Sequence, residues 1–159
     1  MIIRIVTGIH RHLSERVAEW ALAIMLLRFG WILIQPGDTF ALSPTFAVME
    51  AMAAEEVWGW GCFLIGIVRV AALVINGTFW DTIYSRYSPH VRGITALISI
   101  FAWANIVYGM GMSGVQTTGN AVYPVLLFLD VWCVFHAFGD AKSADVRAHD
   151  ERLARAPNR

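Results

Sequence analysis

The chain has 159 residues, 57% of them hydrophobic and only 15% charged, with a formal net charge of zero and a mean hydropathy of +0.56. Soluble domains run ~45–50% apolar and ~25% charged, so this composition argues against a water-soluble globule. The neutral balance excludes a global attraction to nucleic acid. Two cysteines without a CxxC spacing, Cys62 and Cys133, exclude a disulfide framework and read as small core residues.

Within residues 1–16, Ile2, Ile5, Val6, Ile9 and Leu13 recur at helical spacing between Arg4, Arg11, His12 and Arg16. The pattern predicts a short amphipathic helix lying in a membrane interface. A signal peptide is the poorer reading, because charges interrupt the apolar core and no A-x-A site follows. Residues 17–34 form the first predicted span, with Glu19 near its start and Arg28 within it. Pro36-Gly37 ends it.

The first loop covers residues 35–56. Ser43 before Pro44 is a helix-start signal, and Phe46, Met49, Met52 and Ala53 then repeat at three and four. The expectation is an amphipathic helix over 44–56 on the membrane surface, running straight into the second span; a re-entrant dip is the alternative. The second span, 57–75, is apolar on every face yet holds Arg69. A guanidinium at that depth costs at least ~2.5–3.5 kcal/mol unless a partner, water or snorkelling relieves it.

Asn76-Gly77 reads as a turn, and the loop that follows carries Trp80, Tyr84 and Tyr87, aromatics suited to headgroup depth. The third span, 94–112, contains Asn105. The fourth, 121–138, contains Pro124 in its first turns, Asp130 and His136. Residues 139–159 form a charged tail, read as a solvated helix.

Charge sets the expected topology. Outside the spans, Lys and Arg fall in the N-terminal arm (Arg4, Arg11, Arg16), the middle loop (Arg86, Arg92) and the tail (Lys142, Arg147, Arg152, Arg155, Arg159). The first and third loops have none. The positive-inside rule then places both termini in the cytoplasm, as an even number of spans requires.

In that topology Arg28, Arg69, Asn105 and Asp130 fall within ~8 Å of one another along the membrane normal. Asp130 is expected to bridge Arg69, Arg28 or both. One carboxylate against two guanidinium groups leaves an excess positive charge, which favours an anionic ligand or a water-filled pocket. The bland reading is an ion pair fixing helix register; the functional one is a polar path for ions, protons or a small solute. Gly109 to Gly114 spells GxGxxG but ends a span and follows no strand, so it fails as a dinucleotide site. His10 and His12 do not share a helix face, so no metal site is expected there. No Ser/His/Asp set, HExxH or P-loop occurs, and neither an enzyme nor a cofactor is expected.

The segments PGDTFALSPTF (36–46), EEVWGW (55–60), GIVRVAALVING (66–77) and SPHVRG (88–93) resemble small membrane proteins of unknown role encoded by tailed bacteriophages. That resemblance implies a non-enzymatic protein acting on the bacterial envelope in genome delivery, lysis or holin-like permeabilisation. Its partners would be the lipid bilayer and a homo-oligomer or a larger membrane or virion assembly. LLRFGWILI (26–34) and GIVRVAAL (66–73) are similar to the Arg-bearing helices of DoxX-like four-span proteins. That second resemblance implies a small transporter or an accessory subunit of a redox complex. The fold class expected is all-α: a four-transmembrane-helix bundle with an N-terminal interfacial helix.

Overall fold

A computed structural model describes residues 16–78 and 83–155, and the side chains of 16–75 and 87–149. The expected interfacial helix over 1–16 lies outside the described residues, Arg16 apart. Helix α1 is Val17–Ile34. A 3-10 turn, Pro44–Phe46, leads into the short α2, Ala47–Met52. Three long helices follow: α3, Glu55–Thr78; α4, Ile83–Ser113; and α5, Gly119–Arg155. The described residues contain no strand.

Four of these helices are long and apolar enough to cross a membrane, and they form a bundle. α1 packs mainly on α3, and α4 mainly on α5; α3 also packs on α4, and α1 on α5. The helices therefore occupy the corners of a square, with α1 opposite α4 and α3 opposite α5. Large apolar side chains such as Ile24, Leu64, Phe101 and Phe128 point outward, while the interior holds both apolar and charged groups. Such a distribution suits a bundle solvated by hydrocarbon, where apolar exposure costs nothing and buried polar groups must pair.

Close approach of α1 and α3 depends on small residues. A Cβ on Gly30 would lie 2.7 Å from the Gly59 carbonyl oxygen, and one on Gly66 would lie 2.7 Å from Leu27 Cγ. Membrane helices, lacking a hydrophobic drive toward one another, associate through such backbone contact.

Three boundaries differ from the sequence expectation. α3 runs through Asn76-Gly77 to Thr78 rather than turning there. α4 begins at Ile83, eleven residues before the expected start of the third span and with Pro89 inside it. Proline removes one rung of the helix ladder, but tertiary contacts hold the segment: Ser88 Oγ donates to the Ala72 carbonyl at 2.7 Å, and His90 lies 3.4 Å from Asp145. α5 passes without a break from the apolar stretch into the charged tail. Its 37 residues span ~55 Å, well beyond a ~30 Å hydrocarbon layer, so its last turns extend past such a layer.

The first loop is the largest correction. No single helix covers 44–56. Ser43 caps the 3-10 turn, accepting from the Thr45 N–H, as the Ser-Pro signal predicts. The chain then breaks at Ala53, which is extended, before α3 starts. The segment does not lie flat on a surface: Phe40, Thr45, Phe46 and Met49 are buried, and the 3-10 turn and α2 both pack on α4. Gly109 makes this possible, since a Cβ there would collide with the Thr45 carbonyl oxygen. Glu55 anchors the loop from below, accepting from Thr39 N–H at 3.1 Å and Phe40 N–H at 3.0 Å. Trp58 Nε1 donates to the Met49 carbonyl at 2.9 Å.

Candidate functional site

Each diagonal of the bundle is crossed by a buried ion pair. On the α3–α5 diagonal, Arg69 Nη2 lies 2.7 Å from Asp130 Oδ1. Arg69 Nη1 donates to Ser99 Oγ at 2.7 Å, and Ser99 Oγ in turn donates to Asp130 Oδ2. Trp103 Nε1 donates to the same Oδ2 at 2.8 Å. Oδ1 takes the ion pair without a well-aligned hydrogen bond. Asp130 and Trp103 are 0% exposed, Ser99 1% and Arg69 3%. Charges this deep persist only when paired and hydrogen-bonded, and here one cation meets one anion with two neutral donors completing the set.

On the α1–α4 diagonal, Arg92 grips Glu19 with two nitrogens: Nε donates to Oε2 at 2.6 Å and Nη2 to Oε1. Arg92 Nη1 also reaches Asp140 Oδ2 at 3.2 Å, and Arg16 Nη2 reaches the same oxygen at 3.0 Å. This network closes the Arg16 end of the bundle and ties α1, α4 and α5 together. Beside it lies a polar cavity of about 220 Å³ lined by Arg16, Glu19, Cys133, His136 and Asp140.

The two pairs are joined by a polar stripe. Ser88, Arg92, Thr95, Ser99 and Trp103 recur every three or four residues along the buried face of α4, so they share one side of the helix. On α5, Cys133 lies one turn from Asp130 and lines the cavity. Polar groups thus run from the Arg16 end to the middle of the bundle. Beyond Trp103 the interior is mainly aromatic and aliphatic, with Thr45 buried among these groups. Phe29 meets Trp103 at 5.4 Å, Phe40 stacks on Phe46 at 5.4 Å, and Tyr123 meets Trp103 at 6.0 Å. With Met49, these rings plug the end covered by the first loop.

The structure brings together two of the four polar residues singled out from sequence, Arg69 and Asp130, and leaves the other two apart. Arg28 is exposed on the outer face of α1, opposite that helix's buried side, and no ion pair joins it to Asp130 among the described residues. The expected excess positive charge at Asp130 therefore does not arise. Asn105 is half-buried on the flank of α4 and donates from Nδ2 to the Phe101 carbonyl of its own helix at 2.7 Å. Similar depth did not imply a similar direction: Arg28 points away from the bundle because Phe29 and Gly30, next to it, point in. Of the aromatic anchors, Tyr87 is exposed at 58%; the side chains of Trp80 and Tyr84 lie outside those described. His136 is exposed and contacts the Trp132 ring, with centroids 4.8 Å apart.

Sequence reasoning missed Ser99, Trp103 and the Glu19–Arg92–Asp140 network. The signal was present. Ser88, Arg92, Thr95 and Ser99 keep helical spacing across a boundary read as loop, and only continuity of α4 shows it. Both cysteines are free and buried. Among the described residues no group of three His, Cys, Asp or Glu side chains is placed to hold a metal ion.

No protein-family model, curated protein or solved structure matches this chain. The functional reading therefore rests on the bundle itself and on its internal polar column.

Proposed function

We propose that this is a non-enzymatic integral protein of the bacterial inner membrane, phage-encoded, that permeabilises or conducts through the envelope by way of its internal polar column. Both termini face the cytoplasm in this reading, so the Arg16 end and the C-terminal end of α5 are cytoplasmic. The observation that carries it is the asymmetry of the interior. Charged and hydroxyl groups line the half next to Arg16, and an aromatic plug fills the half under the first loop. A column of that kind is polar toward one side, where ion pairs close it, and is blocked toward the other by apolar rings until the plug moves. Intramembrane charges with a polar approach from one surface are what a path for ions, protons or small solutes requires. The resemblance to phage membrane proteins supports the envelope as the place of action, in genome delivery or lysis. Because the polar faces point inward, a holin-like lesion would form within the bundle once the loop lifts.

The test is regulated expression in a bacterium with a membrane-potential dye. Wild-type protein should depolarise the cells at high expression. Phe40→Ala with Phe46→Ala, which thins the plug, should do so at lower expression. Full potential in both cases would remove the conducting reading. A second reading, a small solute-handling protein of the DoxX-like kind, is favoured by the polar cavity beside Glu19 and Asp140. Neighbouring genes separate the two: lysis, portal or tail genes for the first, oxidoreductase genes for the second.

A further inference from the structure

Arg28 poses a problem that the bundle does not solve. It sits between Ile24, Met25, Trp31 and Ile32, all at least 42% exposed, on a face that meets hydrocarbon in a membrane. It lies eleven residues from Val17 and six from Ile34, so the nearer surface is the loop end. Side chains on a helix lean toward its N-terminus, which for α1 is the other end. Snorkelling to the nearer headgroups therefore works against the geometry, and an unrelieved guanidinium at this depth is costly.

The opposite side of the bundle carries a matching acceptor. α4 is diagonal to α1, and its outer face presents Phe101, at 51% exposure, and Tyr108, at 59%, with Asn105 half-buried on the flank beside them. Asn105 Nδ2 is engaged with the Phe101 carbonyl, which directs its Oδ1 to accept from elsewhere. The Phe29–Trp103 ring contact sets the relative height of the two helices. α1 and α4 run in the same direction. Arg28 is one residue from Phe29, and Phe101 and Asn105 lie two residues to either side of Trp103. At ~1.5 Å per residue Arg28 then falls between Phe101 and Asn105 in height, within about 5 Å of Asn105. Beside Phe101, between α3 and α4, runs an apolar groove of about 210 Å³ floored by Gly61, Cys62 and Ala102.

We infer that a second copy of this chain docks head-to-tail on this face, its Arg28 donating to Asn105 and the apolar ridge around that Arg28 seated in the groove. The donor and acceptor lie on opposite sides of one protomer, so the contact is heterologous and propagates into a ring or a row. A two-fold contact through α1 would instead set two guanidinium groups against each other. The inference requires that the helices cross a membrane and is independent of whether the column conducts.

The experiment is complementation between two defective chains. Fluorescently labelled protein is reconstituted at high dilution in phospholipid vesicles, and subunits are counted by photobleaching. Wild type should give assemblies of two or more. Arg28→Leu and Asn105→Leu, each alone, should lower the association constant about tenfold, the effect of one interhelical hydrogen bond. Mixed together, they should form pairs containing one of each, because each retains the face the other lacks. Arg28 is on an outer face and Asn105 on a half-buried flank, and an unchanged unfolding midpoint of the isolated chain controls for folding; Arg28→Met, which also lacks a donor, serves if Arg28→Leu fails that control. Monomeric wild type would overturn the inference and give Arg28 to a lipid headgroup. Assemblies unaffected by either substitution, or no rescue on mixing, would overturn it equally.

Discussion

Asp130 accepts from both Ser99 and Trp103 through one oxygen and holds Arg69 with the other, at 2.7 Å. α3 and α5 stand at opposite corners of the bundle, and this carboxylate links them through its centre.

Asp130→Asn leaves Arg69 buried without its counter-charge. Removing one member of a buried pair costs ~3–5 kcal/mol, whereas replacing both with apolar residues of similar volume is often neutral. Asp130→Asn should therefore lower the midpoint of denaturant unfolding in detergent micelles substantially, and Arg69→Met with Asp130→Leu should recover most of the loss. Arg69→Met and Asp130→Leu measured singly complete the cycle, and effects that simply add in the double variant would show that the pair is not coupled.

Ser99 contributes as both acceptor and donor in the same network. Ser99→Ala leaves a carboxylate lone pair and an arginine N–H short of a partner, at a cost of ~1–3 kcal/mol. Thr95→Ala is the comparison. Its hydroxyl only donates back to the Val91 and Arg92 carbonyls of its own helix, so it should change the unfolding midpoint far less.

At the Arg16 end, two ion pairs of different burial should behave differently. Arg92 and Glu19 have side chains 3% and 10% exposed, against 19% and 42% for Arg16 and Asp140. Glu19→Ala should destabilise by several kcal/mol and be insensitive to salt. Arg16→Ala should cost ~0–1 kcal/mol. Unfolding midpoints at low and high salt measure both; equal losses would contradict the burial argument.

The first loop depends on one glycine contact, at Gly109, and Gly111 supplies the comparison. Gly109→Ala drives a methyl into the Thr45 carbonyl and should lift the loop, exposing its backbone to protease added on that side. Gly111→Ala, two residues on in the same helix, meets nothing within 4 Å and should be neutral or stabilising by up to ~1 kcal/mol. Equal protease resistance in both variants would mean that the loop is not seated on α4.

A chain 57% hydrophobic in four helix-length runs cannot hide that much apolar surface from water in so small a bundle, so all-helical class and four long apolar helices follow from composition and length alone. Arg69 and Asp130 were legible as partners for the same reason: each is too costly in hydrocarbon to stand alone, and the runs containing them place them at similar depth. What the linear order could not hold was direction. Arg28 and Asn105 share the depth of the pair but point elsewhere, because which way a side chain points is set by its helix's rotation within the bundle. That rotation comes from Gly30 against Gly59, Phe29 against Trp103 and the Glu19–Arg92 clamp, contacts between residues far apart in the chain. The first loop and the start of α4 were likewise decided by tertiary packing, since Gly109 opens a seat for Thr45 and α5 supports a helix that Pro89 alone would interrupt.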